Sequence, residues 1–171
     1  MAELILLRHA KSDWEADYAL DERRPLSSRG RHAAVAMGKV LTATGNKPDF
    51  VLTSPAMRAH STAEMAADAG GWNAPVLVVD ELYGGGASAV LSALRTVPEP
   101  CKRALVVGHQ PTWSEAVRIL IGGGDVAMPT AAAAGLEVLV GSWEAIGPGT
   151  CRLRWLLPPR LFTDGDLRLP S

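Results

Sequence analysis

Four consecutive apolar residues, Leu4-Ile5-Leu6-Leu7, run without a polar break into Arg8 and His9. A short apolar run that does not alternate with polar residues suits a strand buried on both faces, as in a parallel sheet covered by helices. In open α/β sheets the ligand-binding groups lie just beyond the carboxyl ends of the strands, and Arg8-His9 falls there. A guanidinium beside an imidazole at such a place points to an anion site that contains a nucleophile or base.

The rest of the chain repeats the unit. Lys11 to Arg24 is polar and irregular, a loop with a short helical piece. Pro25-Leu26-Ser27-Ser28 opens a helix with Ser27 or Ser28 as N-cap. Ala34, Met37, Gly38 and Leu41 then keep the spacing of a buried helical stripe. Phe50-Val51-Leu52 reads as a second buried strand, closed by Thr53-Ser54-Pro55. With Ser54 as cap and Pro55 at the first helical position, a helix is expected from about 55 to 69. Pro75 to Val79 is a third strand, Ala87 to Thr96 a helix, and Arg103 to Val107 a fourth strand. Gly108-His109-Gln110-Pro111 opens a further helix that reaches Ile121. Leu136 to Val140 and Cys151 to Leu157 read as antiparallel strands. In the second, Cys151, Leu153 and Trp155 alternate with Arg152 and Arg154, the period of a half-exposed edge strand. The expected fold is a three-layer α/β sandwich with a mostly parallel central sheet, helices on both faces and an antiparallel C-terminal edge. It forms one domain over residues 1–171.

Composition narrows the function. The formal net charge is −1, so the molecule as a whole does not attract nucleic acid or an acidic membrane surface, and any positive potential must be local. No apolar run approaches the roughly 18 residues of a membrane span, and no signal peptide is visible. Cys101 and Cys151 form no CxxC pair and read as buried thiols of a cytoplasmic protein. The four histidines and two cysteines lack metal-ligand spacing, so no metal site is expected.

Three strand ends carry the same chemistry. The first ends in Arg8-His9, the second in Thr53-Ser54-Pro55 with Arg58 one turn on, and the fourth in Gly108-His109. If these strands run parallel, two arginines and two histidines converge on one edge of the sheet. Guanidinium groups bind phosphoryl oxygens in bidentate fashion. A histidine whose second ring nitrogen is held can attack phosphorus, while another stabilises the transferring group. Ser12 is close enough in sequence to line the same loop. Glu81 lies beyond the third strand as either a general acid or an exposed loop residue. His32 and His60 read as structural or exposed.

Leu6-Leu7-Arg8-His9-Ala10-Lys11-Ser12, Pro25-Leu26-Ser27-Ser28-Arg29-Gly30, Thr53-Ser54-Pro55-Ala56-Met57-Arg58-Ala59 and Val106-Val107-Gly108-His109-Gln110-Pro111 resemble, in this order, the motifs of the histidine phosphatase superfamily. Within it the short chain and Arg-His-Ala-Lys-Ser-Asp-Trp are most similar to the SixA-type phosphohistidine phosphatases. The resemblance implies that His9 attacks phosphorus and becomes a phosphohistidine that water hydrolyses. Arg8, Arg58 and His109 would bind the phosphoryl group and stabilise its transition state, and no metal or organic cofactor is implied. Two positions depart from the motif: Ala10 replaces a glycine, and Glu15 stands where mutase-like relatives carry an asparagine. Only about 50 residues separate Arg58 from His109, leaving no room for the insertion that covers the site in larger relatives. An open site is expected, suited to phosphohistidine in a partner protein or, alternatively, to several small phosphoesters. A catalytically silent phosphate- or phosphoprotein-binding module is the competing class. It is disfavoured because both arginines and both histidines are present. A Rossmann dinucleotide site lacks its glycine fingerprint here.

Overall fold

The computed structural model describes residues 1–163. Six strands form one sheet: β1 (Glu3–Arg8), β2 (Phe50–Thr53), β3 (Val76–Val78), β4 (Arg103–Gly108), β5 (Ala133–Val138) and β6 (Cys151–Leu157). Their spatial order is β3-β2-β4-β1-β5-β6. The first four are parallel, whereas β5 pairs antiparallel with both β1 and β6. The principal helices are α1 (Ser28–Ala43), α2 (Met57–Gly70), α3 (Gly86–Leu94) and α4 (Thr112–Ile121), with a short C-terminal α5 (Arg160–Thr163).

The apolar run of β1 explains the layering. Successive side chains of a strand point to opposite faces. Leu4 and Leu6 pack with Val90 and Leu94 of α3 and Trp113, Val117 and Leu120 of α4. Ile5 and Leu7 pack on the other face with Met37 and Leu41 of α1 and Ala59, Ala63 and Ala66 of α2. All four β1 side chains are at most 1% exposed. The three-layer arrangement with its antiparallel edge is therefore as expected. Helix α1 lies close against α2 because Gly38 has no side chain: a Cβ there would lie 2.1 Å from the Ala66 carbonyl oxygen.

Several boundaries differ from the expectation. Strand β5 begins at Ala133, three residues before Leu136, because the run Ala131–Ala134 carries no strand signature in its side chains. These alanines are buried, and Ala133 and Ala134 pair directly with Leu7 and Leu6. Gly135 lets Trp155 lie across β5, since a Cβ at Gly135 would meet the indole at 2.1 Å. Strand β3 is three residues long, and Leu77 and Val78 at this sheet edge are each 47% exposed. Helix α2 begins at Met57 rather than Pro55, with Ala56 as its N-cap residue and no side-chain cap. Ser54 is released from capping for another task. Ser27, by contrast, caps α1 as expected, accepting a hydrogen bond from Gly30 N–H at 3.0 Å.

No helix among the described residues is long and apolar enough to cross a membrane. Cys101 and Cys151 are buried and unpaired, and burial pushes each thiol pKa up to about 11.

Candidate active site

The parallel strands deliver their C-terminal residues to one edge. Backbone bonds extend the ladder past the strand ends: His9 N–H donates to Gly108 O at 2.9 Å and Ser54 N–H to Val107 O at 3.0 Å. His9 and His109 thereby come together, with ring centroids 5.2 Å apart.

His9 is 8% exposed. Its Nδ1 lies 2.7 Å from the Ala10 carbonyl oxygen. A carbonyl can only accept, so Nδ1 carries the proton and Nε2 keeps its lone pair. Burial is the main cause that pushes the His9 pKa down to about 4; the charges of Arg58, Arg8 and Arg24 add to it against the opposing hydrogen bond to Ala10. The ring is neutral at pH 7. The Ala10 backbone is itself held, because its N–H donates to Thr62 Oγ1 at 3.0 Å, and that hydroxyl donates to Arg58 O at 2.6 Å. One threonine of α2 thus ties the loop that follows His9 to the helix turn that bears Arg58.

Three arginines surround the pair. Arg8 donates through NH1 to Met128 O at 2.9 Å. Arg58, 5% exposed, donates to Asp21 O and to Asp21 Oδ2 at 2.9 and 3.0 Å. Arg24, also 5% exposed, reaches Asp21 Oδ1 at 3.2 Å, and its guanidinium carbon lies 3.3 Å above the centre of the Trp14 ring. Asp21 therefore splits its two oxygens between two guanidinium groups, and it also accepts from the Tyr83 hydroxyl at 2.9 Å. Burial alone would raise the Asp21 pKa. The Tyr83 hydrogen bond and the charges of Arg58 and Arg24 outweigh it and hold the carboxyl below its ordinary range. Tyr83 also meets the His109 ring edge-on, at 5.7 Å between centroids.

His109 Nε2 lies 2.8 Å from Ser54 Oγ. This is the task for which Ser54 is free, and it fixes the plane of the second imidazole. Burial, reinforced by neighbouring His9 and Arg58, pushes the His109 pKa down to about 3.

Among the described residues, Arg8 Nε, Arg24 Nε and NH1, Arg58 Nε, His109 Nδ1 and Trp113 Nε1 are buried polar atoms without a protein partner. Buried donors left unpaired are costly, and here nearly all of them border one cavity. That cavity has a volume of about 1290 Å³ and is lined by Arg8, His9, Ser12, Arg24, Arg58 and His109 among others. A cavity lined by three buried or half-buried guanidinium groups and two imidazoles suits a tetrahedral oxyanion.

Of the residues singled out from the sequence, Arg8, His9, Arg58 and His109 are brought together. Ser12 is 6% exposed, lines the cavity and pairs its backbone with Leu26. Glu81 is not brought in: it is exposed in the 3₁₀ turn Asp80–Leu82 and does not line the cavity. The same loop reaches the site through Tyr83 instead. His32 is exposed on α1 yet borders the cavity, and His60 pairs with Glu64 at 3.3 Å. Glu15 is exposed and lies off the cavity. Sequence reasoning missed Arg24, Asp21 and Tyr83. For Arg24 a signal existed, since a residue preceding proline is held extended, and Arg24 at φ −63°, ψ 120° is turned inward there.

The depressed imidazoles make a prediction. With folded pKa values of about 4 and 3 against 6.5 in the unfolded chain, the unfolded state binds more protons at intermediate pH. Stability contributed by these histidines is present above pH 6.5 and is lost as pH falls towards 4. Tm should drop over that window, and inorganic phosphate, whose charge favours imidazolium, should oppose the drop. Ring-nitrogen chemical shifts followed by NMR should show both histidines neutral at pH 6; protonation of either near pH 6.5 would contradict the geometry.

The model of the histidine phosphatase superfamily (branch 1) matches residues 4–83. An uncharacterized protein of Mycobacterium tuberculosis is 35% identical over 164 residues, covering 90% of this chain and all of that protein. Among solved structures, the protein histidine phosphatase SixA complexed with tungstate is similar with a TM-score of 0.80 and 26% identity, covering 94% of this chain and 99% of that one. A candidate SixA phosphohistidine phosphatase from Nakamurella multipartitia is similar with a TM-score of 0.77 and 29% identity, covering 92% and 96%. With the family model on the β1–β3 segment and these likenesses over nearly the whole chain, this protein belongs to the histidine phosphatase superfamily.

Proposed function

We propose that the chain is a phosphatase that works through a phosphohistidine on His9. The observation that carries this reading is the set of buried, unpartnered donors on Arg8, Arg24, Arg58 and His109 around an imidazole whose Nδ1 is committed to a carbonyl. His9 Nε2 attacks phosphorus, and the bond from phosphorus to the leaving group breaks. The arginines and His109 hold the equatorial oxygens as charge spreads over them. A water oxygen then bonds to phosphorus, the bond to Nε2 breaks, phosphate leaves, and the water's proton passes to solvent. The leaving group needs no protein acid if it departs as an already protonated imidazole, which fits the position of Glu81 outside the cavity.

That consideration, together with the likeness to SixA and the short chain, favours phosphohistidine in a partner protein as substrate. The tungstate held by the SixA neighbour is a stand-in for the same oxyanion. A cytoplasmic setting is supported by the two unpaired thiols. A second reading has its own observation: about 1290 Å³ is room enough to enclose a whole small phosphoester. Rates measured on a phosphohistidine-carrying protein and on a panel of sugar phosphates separate the two. The expected result is a kcat/KM at least about tenfold higher on the phosphohistidine protein. Faster turnover of a sugar phosphate overturns that substrate. Stabilisation by phosphate with no turnover on any substrate overturns the phosphatase in favour of a silent binding module.

A further inference from the structure

The cavity does not end at the phosphoryl-binding arginines. Lys11, His32 and Arg160 line it as well, with Leu156 and Pro158-Pro159. In all, Arg8, Lys11, Arg24, Arg29, Arg58 and Arg160 line it, and no Asp or Glu among the described residues does. This occurs in a chain whose formal net charge is −1. Concentrating cations at one concave surface raises their mutual repulsion, which an anion relieves.

One phosphoryl group does not use this wall up. Three guanidinium groups and an imidazole, on Arg8, Arg24, Arg58 and His109, suffice for its oxygens. Lys11 and Arg160 are exposed, and neither pairs with a carboxylate among the described residues. The wall is nevertheless built rather than loose. Lys11 is anchored through its backbone, its carbonyl accepting from Ser27 N–H at 2.9 Å and from Ser27 Oγ at 3.1 Å. Arg160 follows two prolines with fixed φ at the end of β6, and its helix α5 packs against α1, which carries His32.

We infer that Lys11, His32 and Arg160 form a leaving-group subsite for a second anion: the substrate carries, besides the phosphoryl group, a carboxylate or phosphate that these three side chains receive. The inference rests on the phosphatase reading above and deepens it. The same chemistry has two sources, an acid group on a small phosphoester or an acidic side chain beside the phosphorylated residue of a protein.

The test compares charge at constant shape. One arm sets 4-carboxyphenyl phosphate against neutral 4-carbamoylphenyl phosphate. The other sets a phosphohistidine peptide flanked by glutamates against the same peptide with glutamines. In wild type the anionic member of at least one arm should have a kcat/KM about tenfold higher, and the preference should shrink with added salt. In the Lys11→Ala/Arg160→Ala double variant the ratio should fall to about twofold or less, and Arg160→Glu should reverse it. Preference confined to the aryl arm assigns the second anion to a small substrate, and preference confined to the peptide arm to a protein. A wild-type ratio near one in both arms, with the neutral ester still hydrolysed, overturns the subsite and leaves the phosphatase standing. If no ester is hydrolysed the phosphatase reading fails, and the charge ratio is then read from binding of the matching benzylphosphonates, where a ratio near one overturns the subsite as well.

Discussion

His9→Ala should reduce hydrolysis of phenyl phosphate by roughly 10⁴-fold or more, to the level of the assay blank. The size of the effect follows from the division of labour around the ring. The Ala10 carbonyl takes the Nδ1 proton, and burial keeps Nε2 unprotonated, so no other group is prepared to attack phosphorus. His109 cannot substitute, because its Nε2 lone pair is engaged with the Ser54 hydroxyl and its Nδ1, the donor to the phosphoryl group, carries the ring proton. The arginines are untouched by the change, so the variant should still be stabilised by phosphate or vanadate to within a few-fold of the wild-type affinity. Loss of turnover with retained anion binding separates a missing nucleophile from a collapsed site, and thermal melting confirms that the variant folds.

The second large effect should come from Arg58. Its removal takes away a buried charge at the site and leaves the Asp21 carboxylate with one cation fewer. A loss of about 10²–10³-fold in kcat/KM is expected for Arg58→Ala, the range seen when one transition-state donor is deleted. Arg58→Lys should recover only part of it, since an ammonium cannot reproduce the fork that spans Asp21 and an oxyanion together. Asp21→Asn should act in the same direction but more weakly, about tenfold, because the arginines then lose their anchor rather than their charge. A wild-type rate in Arg58→Ala would remove this guanidinium from the chemistry.

The parallel half of the fold was legible because its inner strands are buried on both faces and their residues say so: Leu4 to Leu7 and Phe50 to Leu52 admit few other readings. The start of β5 was not, because Ala133 and Ala134 gain their strand character only from pairing with Leu7 and Leu6. The four groups at the strand ends could be read from position alone, since parallel strands carry their last residues to a common edge. Asp21 and Tyr83 could not. They are 62 residues apart and meet only because the loop after β1 and the loop after β3 close over Arg58. The bond between them is a tertiary contact without local signal. Glu81 shows the converse: its loop was placed on the correct edge, but the 3₁₀ turn presents Tyr83 to the site and leaves Glu81 in solvent.

The central claim is that a covalent bond forms between phosphorus and His9. Wild-type protein mixed with a ³²P-labelled substrate and quenched in alkali within milliseconds should carry label that survives base and is lost in acid, as a phosphoramidate is. Peptide mapping should place that label on His9, and its decay should match the steady-state rate. Label on any other residue, or turnover at full rate with no labelled protein at any time point, would contradict the account.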